Sequence, residues 1–162
     1  MHRIRLVFLV GLIGVLAACG FQLRGFTVLP AELQRMELDD KTLNRSQQIQ
    51  LRISLERAGV TVLDGSRSDA VKLRVTIQDL PERRVLDSAS SDKIVIRVTR
   101  QLKFVVIFVD TAKQPQPGSL TDQLDIEISE DDLAGKNREI IAAGTRLDRS
   151  LISQLMFQLG RI

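Results

Sequence analysis

Between Val71 and Ile128 the chain alternates apolar and polar positions. Val71, Leu73, Val75 and Ile77 interleave with Lys72, Arg74, Thr76 and Gln78, the period of a strand with one dry face and one wet face. Pro81 is expected to end that ladder, with Glu82 to Leu86 continuing as an edge segment and 87–92, Asp-Ser-Ala-Ser-Ser-Asp, forming a polar hairpin tip. The longest extended run follows, Lys93 to Asp110. Its even positions Ile94, Ile96, Val98, Leu102, Phe104, Val106 and Phe108 are apolar, and Arg100 is the exception. Unbroken, such a run would approach ~60 Å, so a bulge or bend is predicted near Arg100. A surface loop is expected over 111–118, which includes Gln-Pro-Gln-Pro-Gly. Beyond it Leu120, Leu124, Ile126 and Ile128 alternate with Thr121, Gln123, Asp125, Glu127 and Ser129 as another half-wet strand.

Two stretches change to helical spacing. Ile49, Ile53 and Arg57 fall on one line and Leu51, Leu55 and Ala58 on its neighbour, which predicts a helix from Arg45 to Ala58, capped by Asn44 or Ser46 and stopped by Gly59. After a connector from Glu130 to Asn137, Ile140, Gly144, Leu147, Leu151, Leu155 and Leu159 recur at steps of three and four, widened by Ile141, Ile152 and Met156. Short strands are expected at Leu33–Leu38 and Val60–Leu63. Strands with one apolar face need a cover, and the two helices carry matching stripes. The predicted fold class is therefore α+β: a two-layer sandwich with both helices on one face of a mostly antiparallel or mixed sheet of four to five strands, the other face polar and available.

The first 30 residues follow another logic. Arg3 and Arg5 precede an apolar run of about thirteen residues, Leu6 to Ala18, too short to span a bilayer as a helix and suited to a secretory signal. Leu16-Ala17-Ala18-Cys19 then looks like a bacterial lipobox, in which the thiol receives diacylglycerol, the signal is cut before the cysteine and the new amine is acylated. Cys19 is the only cysteine, so it has no intrachain disulfide partner, and it is the predicted lipidation site. Several acyl chains on one residue hold a membrane where one chain is marginal. Gly20 follows the cysteine where aspartate would favour the inner membrane, so delivery to the outer membrane is expected. The organisation read here is a cleaved signal at 1–18, an acylated tether at 19–30 and one domain at 31–162.

Cleavage would remove His2, Arg3 and Arg5, leaving 21 basic against 20 acidic residues and no histidine. The net charge of +3 on the whole chain then falls to +1, which gives no ground for a nucleic-acid partner. A mature chain without histidine, tyrosine, tryptophan or a free thiol lacks most of the usual general bases, nucleophiles and transition-metal ligands, and although carboxylates and lysine alone can support catalysis, no enzyme, cofactor or metal centre is expected. Glu130-Asp131-Asp132 reads as a solvated loop in preference to a cation or acid–base cluster, and the serines at 88–91 as a loop tip with no activating base. The basic residues Arg83, Arg84, Lys93, Arg97, Arg100, Lys103, Lys136 and Arg138 gather on the hairpin, the wet strand face and the connector. Such charges suit a lipid bearing phosphates.

Cys19-Gly20-Phe21-Gln22-Leu23-Arg24-Gly25 resembles the Cys-Gly-Phe-x-Leu-Arg-Gly opening of the LPS-assembly lipoprotein (LptE) family. The order of elements is similar too: Leu29-Pro30 before the first strand, a helix, long hairpin strands, and 133–139, Leu-Ala-Gly-Lys-Asn-Arg-Glu, leading into the last helix. The resemblance implies an outer-membrane lipoprotein that plugs and helps assemble the LptD β-barrel and assists lipopolysaccharide transport, with lipopolysaccharide as ligand. It implies binding by basic residues at the hairpin tip and ahead of the last helix. Lys136 and its neighbour Arg138 match the second position, and Lys93, flanking a tip that holds no base, matches the first. The alternative is a generic outer-membrane lipoprotein with a structural or chaperone role. That reading tolerates replacement of Phe21 to Gly25, whereas a segment seated against a barrel wall does not.

Overall fold

The computed structural model describes residues 29–65, 69–85, 93–109, 112–129 and 133–162. The expected signal, Cys19 and the tether as far as Val28, the hairpin tip and Glu130 to Asp132 lie outside them. A 3-10 turn at Ala31–Leu33 leads into β1 (Arg35–Asp39), then α1 (Arg45–Arg57), β2 (Thr61–Leu63), β3 (Val71–Val85), β4 (Lys93–Ile107), β5 (Gln116–Ser129) and α2 (Leu133–Leu159). The five strands form one mixed sheet in the order β2-β1-β3-β4-β5. β1 runs parallel to β2 and β3, and β3, β4 and β5 form an antiparallel meander. Two helices on a five-stranded mixed sheet is the predicted α+β arrangement.

The expected cap and stop of α1 both form. The Asn44 side chain accepts from the Gln47 amide and the Gln47 side chain accepts from the Asn44 amide, each at 3.0 Å, a reciprocal capping box. At the other end Gly59 takes φ +85°, and the Val60 and Gly59 amides close back on the Leu55 and Glu56 carbonyls. Of the two apolar lines on this helix, Leu51 and Leu55 are buried, whereas Ile49 and Ile53 face solvent. Leu33 lies on the 3-10 turn and not in the first strand, so Leu33 and Met36 both reach the core although three residues apart.

Three expectations about element boundaries are corrected. Pro81 does not end its ladder. β3 continues to Val85, with Leu80 opposite Thr99 and Arg83 opposite Arg97, so Pro81 and Glu82 together face Val98 across a bulge. β1 pairs with β3 only as far as Arg74, and past that point β3 is an edge, where a missing N–H costs no ladder bond. The predicted irregularity is thus present near Arg100 but on the partner strand, and β4 itself pairs without interruption. The Pro-rich loop is also shorter than expected. Gln116, Pro117 and Gly118 belong to β5, an edge strand that tolerates proline, and the missing Cβ of Gly118 leaves room for the Phe104 ring opposite. Finally, α2 begins at Leu133, so the residues from 133 to 137 assigned to a connector are its first turn.

The apolar core has two parts. The larger joins Leu51 and Leu55 of α1 and Leu151, Leu155 and Leu159 of α2 to Leu73, Val75, Leu102 and Val106 of the sheet. The smaller joins Ala143 and Leu147 of α2 to Ile96, Val98, Ile126 and Ile128 in the distal half of the hairpin.

Candidate functional site

The eight basic residues singled out in the sequence separate into structural and surface groups. Arg100 points to the helix-covered face between the two apolar clusters. Its Nε donates to Asp79 Oδ1 at 2.5 Å and its Nη1 to the Gly144 carbonyl at 3.0 Å, and Nη1 lies 2.6 Å from Asp148 Oδ1. Its side chain is 18% exposed and that of Asp148 9%. Gln47 Nε2 donates to the other oxygen of Asp148 at 3.1 Å, so one buried polar node joins the cap of α1, the middle of α2 and the centre of β4. Burial works against the charge on Arg100, but the hydrogen bonds to Asp79 and Asp148 outweigh it and hold the guanidinium protonated. Gly144 makes the approach possible, since a Cβ there would stand 2.7 Å from Arg100 Nη2. Sequence reasoning missed Asp148, Asp79 and Gln47 as members of this node. The signal was available: Arg100 interrupts the apolar row of β4, and Asp148 interrupts the apolar stripe of α2.

The open face of the sheet is held by cross-strand ion pairs. Arg97 makes two 2.7 Å bonds to the Asp125 carboxylate, Arg74 Nε lies 2.9 Å from Asp39, Lys72 Nζ lies 3.0 Å from Glu37, and Gln78 bonds Gln101 at 2.9 Å. Hydrogen bonding from Arg74 holds the Asp39 carboxyl below its usual range, and Arg97 does the same to Asp125. Carboxylates depressed in the folded state stabilise it above their unfolded pKa, about 3.9, and that contribution is lost as pH falls through the lower folded values. Stability is therefore expected to decline below about pH 4, with a shallower decline in Asp125→Asn. Urea midpoints measured from pH 7 down to pH 3 check this; identical acid limbs for both proteins would contradict it.

What remains for a ligand lies at the distal end. Lys136 is the fourth residue of α2, half-buried, with Nζ 3.9 Å from Glu82 Oε2, a residue of the β3 bulge. Arg138 is exposed on the same turn. Lys93 opens β4 and pairs in register with Ser129, the last residue of β5 before the chain turns into α2. Arg83 is exposed beside Arg97 on the open face. Lys93, Lys136 and Arg138 thus all lie at one end of the domain. Lys103 stands exposed in mid-sheet, apart from them. The first turn of α2 carries no acidic residue. Among the described residues no group of three His, Cys, Asp or Glu is placed to hold a metal ion, and no helix is long and apolar enough to cross a membrane.

The fold is similar to that of solved bacterial lipoproteins. The chain aligns with the minor lipoprotein of Acinetobacter baumannii at a TM-score of 0.60 and 18% identity, over 80% of this chain and 92% of that one. It aligns with the rare lipoprotein B of Shewanella oneidensis at 0.58 and 16%, over 76% and 91%. In sequence it is similar to the LPS-assembly lipoprotein LptE of Yersinia pestis, 38% identical over 99 residues, which bears out the resemblance read from the sequence. That match takes in 58% of this chain and 41% of the relative, so the chain spans about two fifths of the length of the curated relatives it matches. No family model matches it.

Proposed function

We propose that this chain is an outer-membrane lipoprotein, acylated at Cys19, that seats in and helps assemble an LptD-type β-barrel and assists lipopolysaccharide transport to the outer leaflet. The carrying observation is the 38% identity over 99 residues to proteins named LPS-assembly lipoprotein LptE. The Cys19 to Gly25 opening and the shared lipoprotein fold are consistent with it. The work is non-catalytic: no bond is made or broken. An open face of paired charges and amides suits a water-filled lumen, because those groups keep their partners or water on insertion. At the distal end Lys136, Lys93 and Arg138 serve as cations for lipid phosphates, and the N-terminus of α2 adds its partial positive charge.

The test has two parts. Affinity purification of the acylated protein from detergent-solubilised membranes is expected to retain a large outer-membrane barrel. Lys136→Glu combined with Arg138→Glu is expected to weaken binding of purified lipopolysaccharide about tenfold, the loss of one good charge-assisted contact. Lys103→Glu changes the net charge by the same amount per residue and should leave binding nearly unchanged. Equal losses in the two proteins would remove the distal site, and failure to retain any barrel would remove the plug.

A further inference from the structure

The end of the domain opposite the candidate site has a surface of its own. Leu29 is buried in the main core, and three residues on Glu32 Oε2 lies 2.5 Å from Lys113 Nζ, so the chain enters the fold beside the loop before β5. Glu32, Phe108, Lys113, Pro115, Pro117 and Ile162 line one open depression there. Exposed apolar residues gather around it: Val109 at the exit of β4, Ile162, and Phe157 on the last turn of α2, which is 58% exposed. Two rings at this end carry a cation. Arg161 Cζ lies 5.6 Å from the Phe157 centroid and Lys113 Nζ 5.3 Å from that of Phe108. Glu32 neutralises Lys113, whereas among the described residues no carboxylate pairs with Arg161.

We infer that this end lies against the headgroup layer of the bilayer holding the anchor, with Phe157, Ile162 and Val109 at the acyl boundary and Arg161 on a lipid phosphate. The inference rests on the lipid-anchor reading of Cys19. Nine residues, 20–28, separate that cysteine from Leu29, and the ten steps between the two span at most about 35 Å fully extended. β4 alone is 15 residues long, about 50 Å, so the tether holds the Leu29 end near the membrane while the distal end can stand clear of it. Aromatic and aliphatic side chains flanked by a cation are the chemistry that sits stably at such a boundary.

The chain has a single cysteine and no tryptophan, so both the anchor and the reporter can be placed without background. The mature chain is coupled through Cys19 to a maleimide lipid in phosphatidylcholine–phosphatidylglycerol vesicles. Phe157→Trp reports from the proposed contact. Ile141→Trp, on the same helix about 24 Å away at 1.5 Å per residue, reports from the other half. Lipids brominated on the acyl chain are expected to quench the Phe157→Trp emission about twofold and to leave Ile141→Trp unchanged, as a ring buried 5–10 Å into the interface requires. Ile162→Trp repeats the measurement from the same end. Equal quenching of both helix positions, or of neither, overturns the inference; the second result is also what a protein partner covering this end would produce. The anchor reading is tested apart from this, by the mass of the Cys19 peptide from membranes of producing cells, and an unmodified thiol there defeats that reading whatever the vesicles show.

Discussion

Asp148→Ala is expected to destabilise the fold by roughly 3–5 kcal/mol, because it leaves the Arg100 guanidinium without one of its carboxylates in the covered layer. Asp79 cannot replace it, since it meets Arg100 from the exposed side, whereas Asp148 is the carboxylate that reaches Arg100 from α2. The loss extends beyond the pair. Gln47, whose side chain also accepts from the Asn44 amide in the capping box of α1, loses the partner of its Nε2, so the contact between the two helices weakens at the same time. Urea unfolding followed by circular dichroism measures the change. A double replacement separates charge from packing: Arg100→Met with Asp148→Leu removes both ions and is expected to recover most of the stability, as apolar substitutes for buried pairs often do. Gly144→Ala reaches the node sterically, because its Cβ would displace the guanidinium, and should act in the same direction with a smaller effect. If Asp148→Ala cost less than about 1 kcal/mol, the node would be no more than a surface pair.

The second large effect is expected at Leu151, which is fully buried where α2 meets α1 and the sheet. Leu151→Ala should cost about 2–5 kcal/mol, the sum of lost transfer energy and the cavity left behind. Ile141→Ala removes a comparable volume from the same helix, yet that side chain is 69% exposed, and the expected change is within about 0.5 kcal/mol. Hydrophobic spacing put both residues in one stripe. Thermal and urea midpoints of the two variants, measured together, test whether the structure divides that stripe correctly.

The contrast between those two leucine and isoleucine positions illustrates what could be read without coordinates. Alternation along β3, β4 and β5 and the three-four spacing along α2 were legible because period alone decides which side of an element is dry. Asn44 and Gly59 were legible as helix limits because cap and stop are local chemistry. The extent of β3 past Pro81 was not, since the cost of proline depends on whether a neighbouring strand needs its N–H, and β1 stops short of that position. The start of β5 at Gln116 was hidden for the same reason, an edge being a property of the sheet and not of the segment. The candidate cations were all visible as residue types. Their sorting was not: Arg97 and Arg100 are taken up by Asp125 and by Asp79 with Asp148, while Lys93 at the start of β4 and Lys136 and Arg138 in the first turns of α2 fall at the distal end.

Sequence by itself determined the α+β class, the wet and dry faces of the long strands, and the likeness to the LPS-assembly lipoproteins carried by the residues after Cys19. Each of these is written in neighbouring residues, where spacing and local bonding act without reference to the rest of the chain. Only the tertiary structure decided that a buried arginine node divides the core and that the cations split between scaffold and surface. It also decided that Phe157, Ile162 and Val109 stay exposed and that Arg161 lies over the Phe157 ring. Those outcomes depend on partners tens of residues apart, Arg100 with Asp148 or Glu32 with Lys113, which meet only after the sheet and helices have packed.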